Sequence, residues 1–235
     1  MQQVGTIASA WRYPVKSMAG ERLEVAAVSL QGVAADRGYA FVQAESKSPF
    51  PWLTGRELPA LFHYRPVWTA DERPSLRVTT PEGAEYDIAS DELRQELAAA
   101  SGRPLFLLRD HRGSFDVAPL SLMTLATVEG IAEASGTEPE IARFRMNFYI
   151  DAPDAATFSE NAWVGRVLRV GDSVRIGITE RDSRCAMITL SPHGGEPLTE
   201  VLRAVAQLND NNAGVYGAVL ATGEVRAGDP IYLED

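Results

Sequence analysis

Along the first hundred residues, short runs of branched and aromatic residues alternate with polar positions and are cut by turn residues. The stretches "VGTIASAW" (4–11), "RLEVAAVSL" (22–30) and "YAFVQA" (39–44) read as strands. "RPVWTA" (65–70) reads as strand in part, and Pro66, which lacks the ladder donor, places it at an edge or a strand start. "SLRVTTPEGAEYDI" (75–88) predicts two strands joined through the turn "PEG". The period then changes. Leu93 and Leu97 share a helical face, Ser90 stands at the capping position, and Asp91 and Glu92 lie where unpaired amides favour negative charge. Gly102 and Pro104 end that helix.

The second half carries two stronger helical patterns. Residues 119–136 place Leu122, Leu125, Val128 and Ile131 near one stripe, with Ser121 as the natural cap. Residues 197–209 place Leu198, Val201, Leu202, Val205 and Leu208 on a broad face. Strands are expected at "RMNFYID", "VLRVG", "SVRIGIT", "CAMITL" and "GVYGAVL", and "GEVRAGDPIYLED" reads as a turn feeding a closing strand. Many short strands with few helices predict a mainly β chain of the α+β class, a barrel or sandwich with helical flanks. The polar, aperiodic "RDHRGSFDVAP" (109–119) marks a boundary between two parts.

Composition narrows the functions open to such a fold. A chain of 235 residues, 45% apolar, buries one large core or two adjoining ones. The single cysteine excludes an internal disulfide and any four-thiolate zinc or iron–sulfur site. A reducing cytoplasm is therefore the expected location. The net charge of -10 argues against nucleic acid as a partner, because that binding rests on phosphate neutralisation. No apolar run approaches the ~20 residues that cross a bilayer, and no signal-peptide pattern opens the chain. His63, His111 and His193 are too scattered to predict a metal triad.

Several local groups carry candidate chemistry. Cys185 lies in "ERDSRCAMITLSP", beside Arg181 and Arg184. It is either a small buried hydrophobe or a thiolate favoured by those cations, able to attack an electrophile or bind a soft metal. Lys16 and Ser17, in "WRYPVKSMAGE", offer a charge and a hydroxyl for a phosphate oxygen, or form a solvated turn. Arg37, after Asp36 in "GVAADRGYAFV", reaches an anion or forms a surface pair. In "RFRMNFYID", Arg143, Arg145 and Asn147 alternate, so strand geometry puts all three on one side, facing either water or an anion. Ser121 is a helix cap that also suits an anion site. Asp210, in "NDNNAG", is a functional carboxylate or part of a solvated turn.

In this order the segments resemble a two-part family of molybdenum-cofactor-binding proteins whose second part is the MOSC domain, named after the C-terminal part of molybdenum cofactor sulfurase. Within it they are most similar to the amidoxime-reducing components of mitochondria and their bacterial homologues. "YPVKSMAGE" and "GVAADRGYAFV" resemble its N-terminal β-rich part. "FDVAPLSLMTLATVEGI", "RFRMNFYID", "AWVGRVLRVGDSVRIGI", "RCAMITLSP" and "GVYGAVLATGEVRAGDPIYL" follow in the family's order. The resemblance implies an N-terminal MOSC-associated domain over 1–108 and a MOSC β-barrel over 109–235, with the molybdopterin form of the cofactor between them. It implies Cys185 as the protein ligand to molybdenum. Lys16, Ser17 and Arg37 would stand at the phosphate end, with Ser121, Arg145 and Asn147 lining the pocket. The implied activity is reduction of a small N-hydroxylated substrate, with electrons from a separate donor protein and Asp210 as a candidate proton group. A non-catalytic cofactor carrier and a sulfur-transfer protein acting through Cys185 are the alternatives.

Overall fold

The computed structural model describes residues 1–70, 72 and 74–234. In chain order the N-terminal strands are β1 (Gln2–Arg12), β2 (Glu21–Leu23), β3 (Val25–Ser29), β4 (Gly32–Val33), β5 (Tyr39–Gln43), β6 (Arg65–Trp68), β7 (Leu76–Thr79) and β8 (Glu85–Asp87). Helix α1 (Asp91–Ser101) and β9 (Leu105–Arg109) follow. The later elements are β10 (Leu120–Thr124), α2 (Leu125–Ser135), β11 (Phe148–Asp151), β12 (Val167–Val170), β13 (Val174–Ser183), α3 (Thr199–Asn209), β14 (Asn212–Ala221), β15 (Gly223–Arg226) and β16 (Pro230–Glu234).

The large sheet runs β11-β10-β14-β13-β12-β16-β1-β2, and a further antiparallel pairing of β1 with β11 closes it into a barrel. Closure removes the open edges that a sheet otherwise exposes. Strand alternation sends Leu168, Val170, Val174, Ile176, Ile178 and Phe148 into the barrel core, which also takes Ile7 and Ala10 of β1 and Ala26 and Val28 of β3. The first strand thus contributes to the core built mainly by the second half of the chain. A second core lies among β5, the β6–β8 sheet, α1 and β9, around Phe41, Leu61, Leu76, Leu93 and Leu97. A third packs α2 and α3 against β11 and β14 through Val128, Ile131, Val201 and Val205.

Local chemistry explains the element ends. Ser90 caps α1 by accepting from the Leu93 amide at 3.2 Å, and Gly102 ends it in the left-handed region with φ 66. Pro66 lies in β6, an edge strand of the β6–β8 sheet, as its missing donor requires. Helix α3 buries Val201, Ala204 and Val205, while Leu208 at its far end is exposed.

Four expectations are corrected. Residues 120–124 form a strand buried on every side, not the start of a helix. An all-round apolar run fits a buried strand and a helical stripe equally well. Thr124 then caps α2 by accepting from Thr127 N at 3.2 Å, so Ser121 is a strand residue and not a helix cap. "CAMITL" is a 3-10 turn, Ala186–Thr189. The segment Ile141–Phe144 is also a 3-10 turn, and Arg145 is left-handed with φ 58, so Arg143, Arg145 and Asn147 do not alternate along one strand.

Candidate functional site

Where the N-terminal elements meet the barrel, a cavity of about 340 Å³ opens to the surface. It is lined by Lys16, Ser17, Arg37, Ser121, Arg145, Asn147 and Cys185, seven of the eight residues singled out from sequence. Asp210 is not among the lining residues. It ends α3 in the left-handed region, is 87% exposed, and lies 3.7 Å from Arg181.

The thiol is held at the junction of β13 and the 3-10 turn. Asn211, itself left-handed at φ 63, accepts from Arg184 N at 2.8 Å through its carbonyl and donates from Nδ2 to Arg184 O at 2.6 Å. Arg143 Nη1 donates to Ile188 O at 2.9 Å and ties down the far end of the turn. The result is an exposed Cys185, so the buried-hydrophobe reading is overturned. Space at the turn depends on Gly55, where an added Cβ would stand 2.7 Å from Met187 Sδ.

On the other side, Lys16 is only 8% exposed. Its Nζ donates to Ser114 O at 2.7 Å and to Asp116 at 2.8 Å, and lies 4.7 Å from the centre of the Trp52 ring. Burial lowers its pKa, with Asp116 pulling the other way. Arg37 pairs with buried Asp36 and stacks 4.6 Å from the Tyr13 ring centre. Arg145 lies over the same ring at 4.4 Å and over Phe62 at 5.6 Å. It bonds Met18 O, and no carboxylate pairs with it among the described residues. Burial, reinforced by Arg37, pushes its pKa down to about 10. Ser17, Arg37 and Arg145 all have left-handed backbones, with φ 66, 47 and 58. Such a conformation costs a non-glycine residue about 1–2 kcal/mol, and clustering at one site is typical of function.

Asp36 and Asn147 set the frame. Asp36 Oδ1 accepts from Tyr13 N at 2.7 Å, and its Oδ2 accepts from Asn147 Nδ2 at 2.9 Å. Asn147 Oδ1 accepts from Ser121 N at 3.1 Å and Ser121 Oγ at 3.2 Å, and its Nδ2 also donates to Trp11 O at 3.3 Å. Both ends of the amide are fully used, so Asn147 shapes the cavity by joining β1, β10 and the Asp36 turn. It has no spare donor for a ligand.

Sequence reasoning missed Asp182, Tyr216, Arg56 and Asp116 as lining residues, and Tyr13 as the platform beneath two guanidiniums. Alternation in β13 did not signal Asp182, because the parity of buried Val174, Ile176 and Ile178 breaks at exposed Glu180, where the register shifts. Asp182 pairs with Arg184, and burial raises its carboxyl against that pull. The lining holds six cationic side chains, Lys16, Arg37, Arg56, Arg143, Arg145 and Arg184, against two carboxylates, Asp116 and Asp182. In a chain of net charge -10 this is a concentrated positive field. Among the described residues, no cluster of three or more His, Cys, Asp or Glu forms a self-sufficient metal site.

The structure is a closed β-barrel with a cation-rich cavity at its junction with a second β-rich part, and the one cysteine lies in the lining of that cavity. The chain belongs to the MOSC domain family: the MOSC domain model matches residues 109–232 and the MOSC N-terminal beta barrel domain model matches residues 4–108. Human mitochondrial amidoxime-reducing component 1 is 24% identical over 99% of this chain and 84% of the relative's length. The Danio rerio mitochondrial amidoxime-reducing component 1 is 28% identical over 55% of this chain and 41% of its own. The crystal structure of the YuaD protein from Bacillus subtilis matches with a TM-score of 0.53 at 11% identity, covering 97% of this chain and 94% of that one, which shows a shared fold. Among the described residues, no helix is long and apolar enough to cross a membrane.

Proposed function

We propose that this protein binds the molybdenum cofactor in its cavity and reduces small N-hydroxylated compounds with electrons delivered by a separate donor protein. The observation that carries the reading is the meeting of the one exposed thiol with surplus buried cations in a single cavity. The residues present fit the group. A thiolate is a soft ligand suited to a thiophilic metal. Lys16, Ser17, Arg37 and Arg145 form the cationic end suited to the cofactor's phosphate, and Arg145 lacks a carboxylate of its own. The family and the amidoxime-reducing relatives support the same reading.

The cofactor, when bound, supplies the two-electron oxygen-acceptor chemistry. Overall, the N–O bond breaks, two electrons and two protons enter, and an N–H product and water leave. This chain's part is to hold and orient. Asn147 and Asp36 fix the turns that carry Ser121 and Arg37, and Asn211 with Arg143 fixes the backbone on either side of Cys185. Asp210 stands outside the lining, where the carboxyl groups are Asp182, paired with Arg184, and Asp116, paired with Lys16.

The test is metal and pterin analysis of protein made in a molybdenum-replete host, followed by reduction of benzamidoxime with a chemical electron donor. Near-stoichiometric molybdopterin that is lost in Cys185→Ala, with turnover in the wild type, is the expected result. Cofactor without turnover identifies a carrier instead. A persulfide on Cys185 with no molybdenum identifies sulfur transfer.

A further inference from the structure

Three lining cations stand apart from the phosphate end: Arg143, Arg184 and Arg56. Arg143 is 4% exposed, and no carboxylate contacts it among the described residues. Its one hydrogen bond goes to the Ile188 carbonyl, and its Nε has no acceptor. Of the carboxylates that act on it, Glu140 is turned to the Ala142 amide and to His193, and Glu200 lies in the first turn of α3. Arg184, beside the thiol, spends Nη1 on Asp182 and Nη2 on the Phe144 carbonyl, and its Nε is also without an acceptor. Arg56 is exposed at the mouth, its Nε 3.5 Å from Thr54 Oγ1.

Charge balance sharpens the point. The lining carries four more positive than negative side chains, or three more once Asp36, paired with Arg37 from behind the lining, is counted. A phosphate monoester supplies about two negative charges. Even with a phosphate seated at Lys16 and Arg37, the cavity keeps an excess, and the unassigned part of it lies around the turn that holds Cys185. A dry guanidinium with no counter-ion is a disfavoured arrangement unless an anion completes it. The lining is apolar in part as well, with Phe50 at 54% exposure, Val117 at 56%, and Met187 of the thiol turn.

We propose that Arg143, with Arg184 behind it and Arg56 at the mouth, forms a second anion subsite on the thiol side, and that the substrate is an N-hydroxylated compound with a small apolar body and a carboxylate. This inference rests on the functional reading above, since it names the substrate class of that same cavity. Arg143 is the specificity residue: it holds the carboxylate end and leaves the N–OH end toward Cys185. Arg56 draws the anion in, and Phe50 and Val117 cover the apolar body.

The experiment compares two probes by isothermal titration against the holoprotein, benzamidoxime and 4-carboxybenzamidoxime. The carboxylated probe is expected to bind about tenfold tighter, as one charge-assisted guanidinium contact gives, and to weaken as salt is added. Arg143→Gln, compared with wild type at equal molybdopterin loading, should bring the two affinities within about twofold of each other, and Arg143→Lys should restore part of the preference. Arg56→Gln, on the exposed mouth, should reduce the preference without affecting folding. Equal affinities in the wild type overturn the proposal. So does a folded Arg143→Gln that keeps the full preference, or one that keeps it while losing the cofactor, which would place Arg143 in cofactor binding. Should Arg143→Gln not fold, the wild-type comparison and Arg56→Gln still decide. A wild type that lacks molybdopterin yet prefers the carboxylated probe refutes the cofactor reading and leaves the subsite standing.

Discussion

Arg37 Nη2 donates to the backbone carbonyl of Arg145 at 2.8 Å, and both guanidiniums lie against the ring of Tyr13. One residue comes from the N-terminal part and the other from the segment leading into β11. Their contact joins the two sides of the cavity. Two like charges this close are held together by their surroundings: Asp36 neutralises Arg37, and the electron-rich face of Tyr13 serves both. Tyr13 is itself constrained, since burial pushes its phenol up to about 12 and its hydroxyl donates to Met146 O at 3.3 Å.

Arg145→Met tests the unpaired cation. Its folded pKa is pushed down to about 10, below the ordinary arginine value, so the folded state releases the proton more readily than the unfolded chain does. By linkage, stability rises only as pH climbs above about 10, and at neutral pH the desolvated charge is a cost. The cofactor-free variant should therefore melt at the same temperature as wild type or a few degrees higher, about 2–4 °C per kcal/mol for a chain of this size. It should also lose the stabilisation that excess inorganic phosphate gives the wild type. Calorimetric melting with and without phosphate reads both effects. A variant that melts lower and still responds to phosphate contradicts the role given to Arg145.

Asp36→Ala tests the frame. The carboxylate takes donors from Tyr13 N, Asn147 Nδ2 and Arg37, and the side chain is fully buried. Removing it strands three donors, one of them charged, at a cost of about 3–5 kcal/mol. Urea unfolding measures this. A loss below about 1 kcal/mol would show that the network is not what holds the turn.

Cys185 should react as an accessible thiol. Since the side chain is exposed, Cys185→Ser should change stability by no more than about 0.5 kcal/mol. Cofactor-free protein should consume one equivalent of a disulfide reagent per chain without denaturant, and loaded protein should be protected. Equal reactivity in the two states would rule out sulfur as the ligand.

Glu160 gives a pH prediction away from the cavity. It is fully buried, and its Oε2 accepts from Thr124 at 2.9 Å and Thr127 at 2.8 Å, while its Oε1 has no donor. Burial raises its carboxyl pKa against the opposing hydrogen bonds. The folded state therefore binds the proton more tightly than the unfolded chain, and stability falls as pH rises above the ordinary carboxyl range until the folded group has ionised. Glu160→Gln removes this ionisation and should flatten that part of the stability–pH curve. Parallel curves for variant and wild type from pH 4 to 8 would refute the assignment.

How legible the molecule was varies from residue to residue. Ser90, Leu93, Leu97 and Gly102 announced α1 because a cap, a face and a left-handed stop are all local. Ser121 misled, because the run that follows it is buried on all sides, and total burial erases the difference between strand alternation and helical period. Arg143, Arg145 and Asn147 were drawn into one row by assuming a strand. A 3-10 turn and a left-handed Arg145 instead send Arg143 to Ile188, Arg145 to Tyr13 and Asn147 into the frame. Asp210 stood out by composition, but its run is a turn in which Asn211 clamps the cysteine segment and Asp210 faces solvent.

The sequence by itself determined the mainly β architecture, the capped helix α1 and seven residues that line the cavity, because periodicity, caps and turn chemistry are written within a few neighbouring positions. The tertiary structure decided which cations share a cavity, which of them lack a counter-ion, and that the lone thiol is exposed within the lining of that cavity. Those properties arise from barrel closure by β1, from left-handed turns at Ser17, Arg37 and Arg145, and from hydrogen bonds between residues far apart in the chain. A charge acquires its meaning only when distant parts of the fold fix what surrounds it.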